Sequence, residues 1–115
     1  MTTQKSNKED YLCIHLKGDF YFHGNNNPEF VGPVVKGLRI LFWGKSYKHP
    51  TSCSFVKDKK VFKGQTQTVE LVLLSPQSID RNLEVSQTYS VGFPGMEIGK
   101  FTIQKILGKW EGKVP

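Results

Sequence analysis

Turn signals return every eight to twelve residues along this chain, and the runs between them alternate apolar and polar positions at the period of a strand. The clearest run is Val69-Glu70-Leu71-Val72-Leu73-Leu74, in which Val69, Leu71 and Leu73 share one face before Ser75-Pro76 closes it. Upstream, residues 11–16 read as a first strand with Leu12, Ile14 and Leu16 toward the core and Tyr11, Cys13 and His15 away from it. Lys17-Gly18-Asp19 reads as a turn before a short strand over 20–22, and residues 24–30 as a loop rich in Asn and Gly. Pro33 and Gly37 bracket a bend ahead of a strand over 38–43 that carries a single buried-looking arginine, Arg39. Residues 44–52, with Pro50, read as a connection. Runs 52–56 and 60–62 flank a hairpin tip at Lys57-Asp58-Lys59, and Lys63-Gly64-Gln65 forms a second tip. Asp80-Arg81-Asn82 turns into a stripe of Leu83, Val85, Gln87, Tyr89 and Val91, Phe93-Pro94-Gly95 turns again, and residues 99–107 are the last strand.

Many short strands on 115 residues predict an all-β fold, a single small closed antiparallel β-barrel of about six strands with Greek-key connections. Closure removes the edges that a small open sheet would expose. The length supports one core and not two. The expected organisation is a polar leader over 1–10, a barrel over 11–108, and a short tail over 109–115 whose Trp110 packs back on the barrel. Leu38, Ile40, Phe42, Val69, Leu71, Leu73, Leu83, Val85, Phe101 and Ile103 are the predicted core. Gly37, Gly64 and Gly99 are predicted to serve the backbone, through positive φ or close approach.

The sequence lacks the GxxxxGK[ST] phosphate loop and the GxSxG nucleophile turn, so neither nucleotide hydrolysis nor a serine-hydrolase mechanism is expected. Cys13, His15, His23, His49 and Cys53 do not fall at zinc spacing. No metal and no cofactor is expected, and the chain is not read as an enzyme. Residues 1–10 hold no apolar core of a signal peptide, and no stretch is long enough to span a membrane. The expectation is a cytoplasmic protein with both thiols reduced. A net charge of +6 favours anionic partners. Lys45, Lys48, Lys57, Lys59, Lys60 and Lys63 crowd one stretch, with Tyr47, Phe55 and Phe62 between them. Lysines with aromatics suit RNA. As strand residues, however, Phe55 and Phe62 are expected to face the core.

Three segments in order carry a family resemblance. Val35-Lys36-Gly37-Leu38-Arg39-Ile40-Leu41-Phe42-Trp43 is similar to a KGYRPQFYF-type strand. Residues 61–76 match a turn and a strand ending in a proline. Ile98-Gly99-Lys100-Phe101-Thr102-Ile103-Gln104-Lys105-Ile106-Leu107-Gly108 is similar to a closing GxGVVxKIL strand. Together, over about residues 11–108, they resemble the C-terminal β-barrel domain, the third domain, of the elongation factor Tu family of translational GTPases, here without the GTPase. Ile40 replaces the proline of the family strand, residues 24–30 lack the arginine of its GGRHTP-like loop, and residues 91–99 lack the arginine of its REGGRTVGAG-like turn. The resemblance implies a non-catalytic binding module detached from its engine. Its most direct partner is a protein, acidic or translation-associated, with toxin neutralisation of the immunity type as one form of that role. An RNA-binding module (transfer or ribosomal RNA) using the basic loops is the alternative. The expected contacts are the loops over 24–30, 44–49, 57–60 and 92–97. Lys57, Lys59, Lys60 and Lys63 would supply the attraction, and Tyr47, Phe93 and Met96 the apolar anchors.

Overall fold

The structure, a computed structural model, describes residues 11–24, 30, 32–74 and 83–112. Six strands run in chain order: β1 Tyr11–Phe22, β2 Arg39–Gly44, β3 Lys48–Phe55, β4 Thr66–Leu74, β5 Thr88–Phe93 and β6 Met96–Gly112. A 3-10 turn, Lys45–Tyr47, joins β2 to β3. The strands close into a barrel in the order β1-β4-β3-β2-β5-β6, every pair antiparallel. β2, β3 and β4 are successive neighbours, and β1 reaches its place beside β4 only through the long connection to β2, which is a Greek key.

Alternation fills the barrel. Ile14, Leu16, Phe20, Phe22, Ile40, Phe42, Cys53, Phe55, Val69, Leu71, Leu73, Tyr89, Val91, Ile98, Phe101 and Ile103 form one buried cluster. Phe42 stacks on Tyr89 with centroids 4.9 Å apart and meets the edge of Phe101. Of the predicted core, Ile40, Phe42, Val69, Leu71, Leu73, Leu83, Phe101 and Ile103 are buried, and Leu38 is half-buried against the cluster. Val85 is 52% exposed. β5 begins only at Thr88, and residues 84–87 form a turn in which the Gln87 amide donates to the Glu84 carbonyl, so alternation does not reach back to Val85.

Other sequence expectations give way for local reasons. Lys17-Gly18-Asp19 is no turn but the middle of β1, at a register shift against β6. Gly18 permits that pairing, because a Cβ there would collide with the Thr102 carbonyl and the Phe101 ring. Cys13 is fully buried although it faces away from Ile14, since it joins Val72 and Leu74 in a second cluster outside the barrel lumen. The connection expected over 44–52 already contains the start of β3. Pro50 is tolerated there because it lies in the irregular stretch between the Gly44–Lys48 and Phe42–Thr51 pairs. Residues 60–62 do not return along β3, whose neighbour is β4. Instead the chain crosses the barrel end, and Val61 exchanges both backbone hydrogen bonds, 2.9 Å each, with Val34. Arg39 is exposed. Gly37 and Gly64 have φ of +91° and +89°, while Gly99 packs so closely on the Phe20 ring and the Tyr21 carbonyl that no Cβ fits. Residues 1–10, 25–29, 31, 75–82 and 113–115 and the side chain of Trp110 lie outside the described residues, so the leader, part of the 24–30 loop, the 80–82 turn and the tail packing do too.

Candidate functional site

The strand registers sort the connections to two ends. Phe22 pairs with Gly99, Tyr21 with Thr66 and Phe93 with Met96, so the β1–β2, β3–β4 and β5–β6 connections share one end. Cys13 pairs with Leu74 and Gly44 with Lys48, so the β2–β3 turn lies at the opposite end with Thr88, the first residue of β5. The expected contact residues are therefore divided. Lys57, Lys59, Lys60, Lys63, Phe93 and Met96 gather at the first end, and Tyr47 stands at the second.

At the first end, Phe22 to Gly24 act as a strap between two turns. The Phe22 amide donates to the Gln65 carbonyl at 3.0 Å and the Gly64 amide to the Phe22 carbonyl at 2.7 Å. On the other side, His23 and Gly24 amides donate to the Ile98 carbonyl at 3.0 and 2.8 Å. Turn 62–65 and the Phe93–Met96 hairpin thus flank one strap. The Lys63 stem lies against Gly24, where a Cβ would meet its methylenes. Lys59 donates from Nζ to the Thr68 carbonyl at 2.8 Å, and Lys57 Nζ lies 3.7 Å from Glu70, which also hydrogen-bonds His15 at 2.7 Å. A cleft of about 630 Å³ opens between Lys17, Lys57, Asp58, Lys59 and Glu70.

The apolar anchors fare unequally. Met96 is exposed at 39%. Phe93 is half-buried, its ring 5.4 Å from Phe30 edge to face, so it serves packing as much as contact. Phe62, expected in the core, is 51% exposed. The residue period of two would have placed it inside only if 60–62 had been a strand. Turn chemistry at Lys63-Gly64 immediately after it was the available signal that it is not.

Beside the hairpin sits a polar network. Glu97 accepts from Ser90 Oγ at 2.6 Å and from Lys100 Nζ at 3.0 Å, and it lies 2.6 Å from His23 Nε2. Burial raises the Glu97 carboxyl, but the hydrogen bonds from Ser90, His23 and Lys100, with the Lys100 charge, outweigh it and hold the pKa below the ordinary value. Both cysteines are free and buried. Burial pushes the Cys53 thiol up to about 12, which removes the thiolate that nucleophilic chemistry needs, and raises Cys13 as well. Among the described residues no group of three His, Cys, Asp or Glu side chains is placed to hold a metal ion. Among those residues, too, no helix is long and apolar enough to cross a membrane.

No protein-family model matches the chain, and no curated protein matches it. The architecture, a small closed six-stranded antiparallel barrel, agrees with the barrel that the sequence resemblance implies.

Proposed function

We propose that this protein is a non-catalytic binding module that docks an acidic protein through the barrel end that carries residues 22–24, 56–65 and 93–96. One observation carries the reading. That end carries the exposed lysines Lys57, Lys59 and Lys60, the Lys63 stem and exposed Phe62 and Met96, and the Phe22–Gly24 strap is hydrogen-bonded to the turn at Gly64–Gln65 on one side and to Ile98 on the other. Lysines speed and orient the encounter, and the two apolar side chains are the short-range anchors. The resemblance to the third domain of the elongation factor Tu family makes a translation-associated partner, or a toxin that targets one, the first class to search. The test is affinity capture from the organism that makes the protein, with and without ribonuclease, using wild type and a Lys57→Glu, Lys59→Glu, Lys60→Glu, Lys63→Glu variant. A protein retained after ribonuclease by wild type and lost by the variant supports the reading. With that partner, the variant's association rate should fall and its salt dependence flatten. An unchanged rate at low salt would reduce the lysines to a solvated face. Capture that vanishes with ribonuclease would instead favour the RNA alternative.

A further inference from the structure

The opposite end of the barrel carries a second, differently built surface. The loop Gly44–His49 and the start of β5 enclose a cleft of about 450 Å³ lined by Lys45, Lys48, His49, Gln87, Thr88 and Tyr89. A second cleft of about 470 Å³, lined by Lys45, Ser46, Thr88, Ser90 and Lys100, adjoins it, sharing Gly44, Lys45 and Thr88. The two make one groove with Lys48 toward one end and Lys100 toward the other. Among the described residues no Asp or Glu lines either part. The cleft at the other end of the barrel, by contrast, counts Asp58 and Glu70 among its lining. Glu97 engages Lys100 at 3.0 Å, so among the described residues the charge of the groove that no ion pair compensates concentrates at Lys45 and Lys48.

Two further observations describe what would sit there. Four non-glycine residues among those described have positive φ, and three of them, Ser46, Tyr47 and His49, belong to this loop. Such conformations persist where the surrounding structure fixes them, and they gather at sites that are used. Here the Lys48 amide bonded to the Lys45 carbonyl helps to fix the loop. Tyr47 lines neither cleft but sits in the loop between lining residues Ser46 and Lys48, its ring edge-on to buried Trp43 with centroids 4.9 Å apart, yet 42% exposed. A held, half-exposed aromatic beside paired lysines and hydroxyls matches a chain that alternates phosphates with flat rings.

We infer that the groove formed by residues 44–49, Thr88, Ser90 and Lys100 binds single-stranded nucleic acid. Lys45 and Lys48 neutralise its phosphates, Thr88 and Ser46 donate to phosphate oxygens, and Tyr47 stacks on a base. The phosphate- and base-binding residues, 44–49 and Thr88, are at the far end from the hairpin 94–95, while Ser90 and Lys100 extend the groove along the barrel toward the Glu97 network. The site therefore stands or falls independently of the protein-docking lysines.

The test is fluorescence anisotropy with short labelled uridine and adenosine homopolymers over a salt series, with far-UV circular dichroism of every variant. Lys45→Gln with Lys48→Gln should weaken binding and flatten the slope of log K against log salt by roughly 1.4, the loss of two single-strand phosphate contacts. Tyr47→Ala should weaken binding roughly 5- to 150-fold, the equivalent of one stacked base, with the slope unchanged. Tyr47→Phe should restore it. Lys57→Glu with Lys59→Glu, at the other end, should leave binding within about twofold, beyond the small general loss from lower net charge. The inference is overturned if wild type binds neither homopolymer at low salt, or if the Lys57/Lys59 pair matters more than the Lys45/Lys48 pair. It is equally overturned if inorganic polyphosphate competes at the same affinity and Tyr47→Ala has no effect, which would leave a plain polyanion surface.

Discussion

Replacing Leu71 by alanine tests the barrel at its centre. Leu71 is fully buried on the inner face of β4, opposite Leu16 on one neighbour and Phe55 on the other. The change removes three carbons, and at about 0.8 kcal/mol per buried methylene the transfer loss is about 2.4 kcal/mol. Both flanking strands are hydrogen-bonded along their length, so the site cannot collapse fully. A residual void of about 50 Å³ adds about 1.2 kcal/mol at 24 cal/mol per Å³. The expected destabilisation is therefore about 3.6 kcal/mol, within the observed span of about 2–5 for such substitutions. It should appear in urea unfolding as a lower midpoint with an unchanged slope, and as a fall in melting temperature on the order of 10–15 °C. Val85→Ala is the matched control, because that side chain is half in water, and it should cost less than about 0.5 kcal/mol. A Leu71→Ala cost below about half a kcal/mol would mean that the inner face of β4 has been assigned wrongly.

Gly99→Ala should destabilise by more than about 2 kcal/mol, since the new Cβ meets the Phe20 ring and the Tyr21 carbonyl, whereas Gly37→Ala should cost about 1–2 kcal/mol for its positive φ alone. Unfolding midpoints that rank the two the other way would refute the steric account. Glu97 has a folded pKa below its unfolded one, so its contribution is full above the ordinary value of 4.5 and is lost as pH falls through the folded pKa. The stability gap between wild type and Glu97→Gln should accordingly be widest near neutrality and close in acid, and a gap that stays constant down to acid pH would contradict the hydrogen-bond assignment. Cys53 should resist a thiol reagent in the native state and react only on unfolding; prompt modification of the folded protein would show that its burial is incomplete.

Much of the fold was legible because alternation is a local property. β4 reads from Val69 to Leu73 without tertiary knowledge, and the closing strand likewise from Phe101 and Ile103. The failures share a cause. Gly18 carries the chemistry of a turn but serves a close approach to β6, a strand about eighty residues away in sequence that no local pattern can announce. Pro50 argues against a strand, yet the ladder there is already irregular. The site was legible only in part. Tyr47 and Lys57 lie ten residues apart and read as one basic, aromatic stretch. Between them runs β3, eight residues long, which at about 3.3 Å per residue sets them about 26 Å apart and turns one basic stretch into two surfaces.

The barrel is sealed by its first strand against its last, with Tyr11 opposite Gly112 and twelve pairs down to Phe22 and Gly99. During synthesis β1 can pair with β4 but gains its second neighbour only when β6 emerges, and until then the partly made sheet presents two raw edges, β1 and β5. Folding by so distant a pairing belongs to the slow, millisecond-to-second regime of non-local topologies. The same seam brings residues 11 and 112 side by side, so the chain could be rejoined there and opened instead at the Pro94-Gly95 hairpin, giving a permuted polypeptide whose seam becomes a local hairpin.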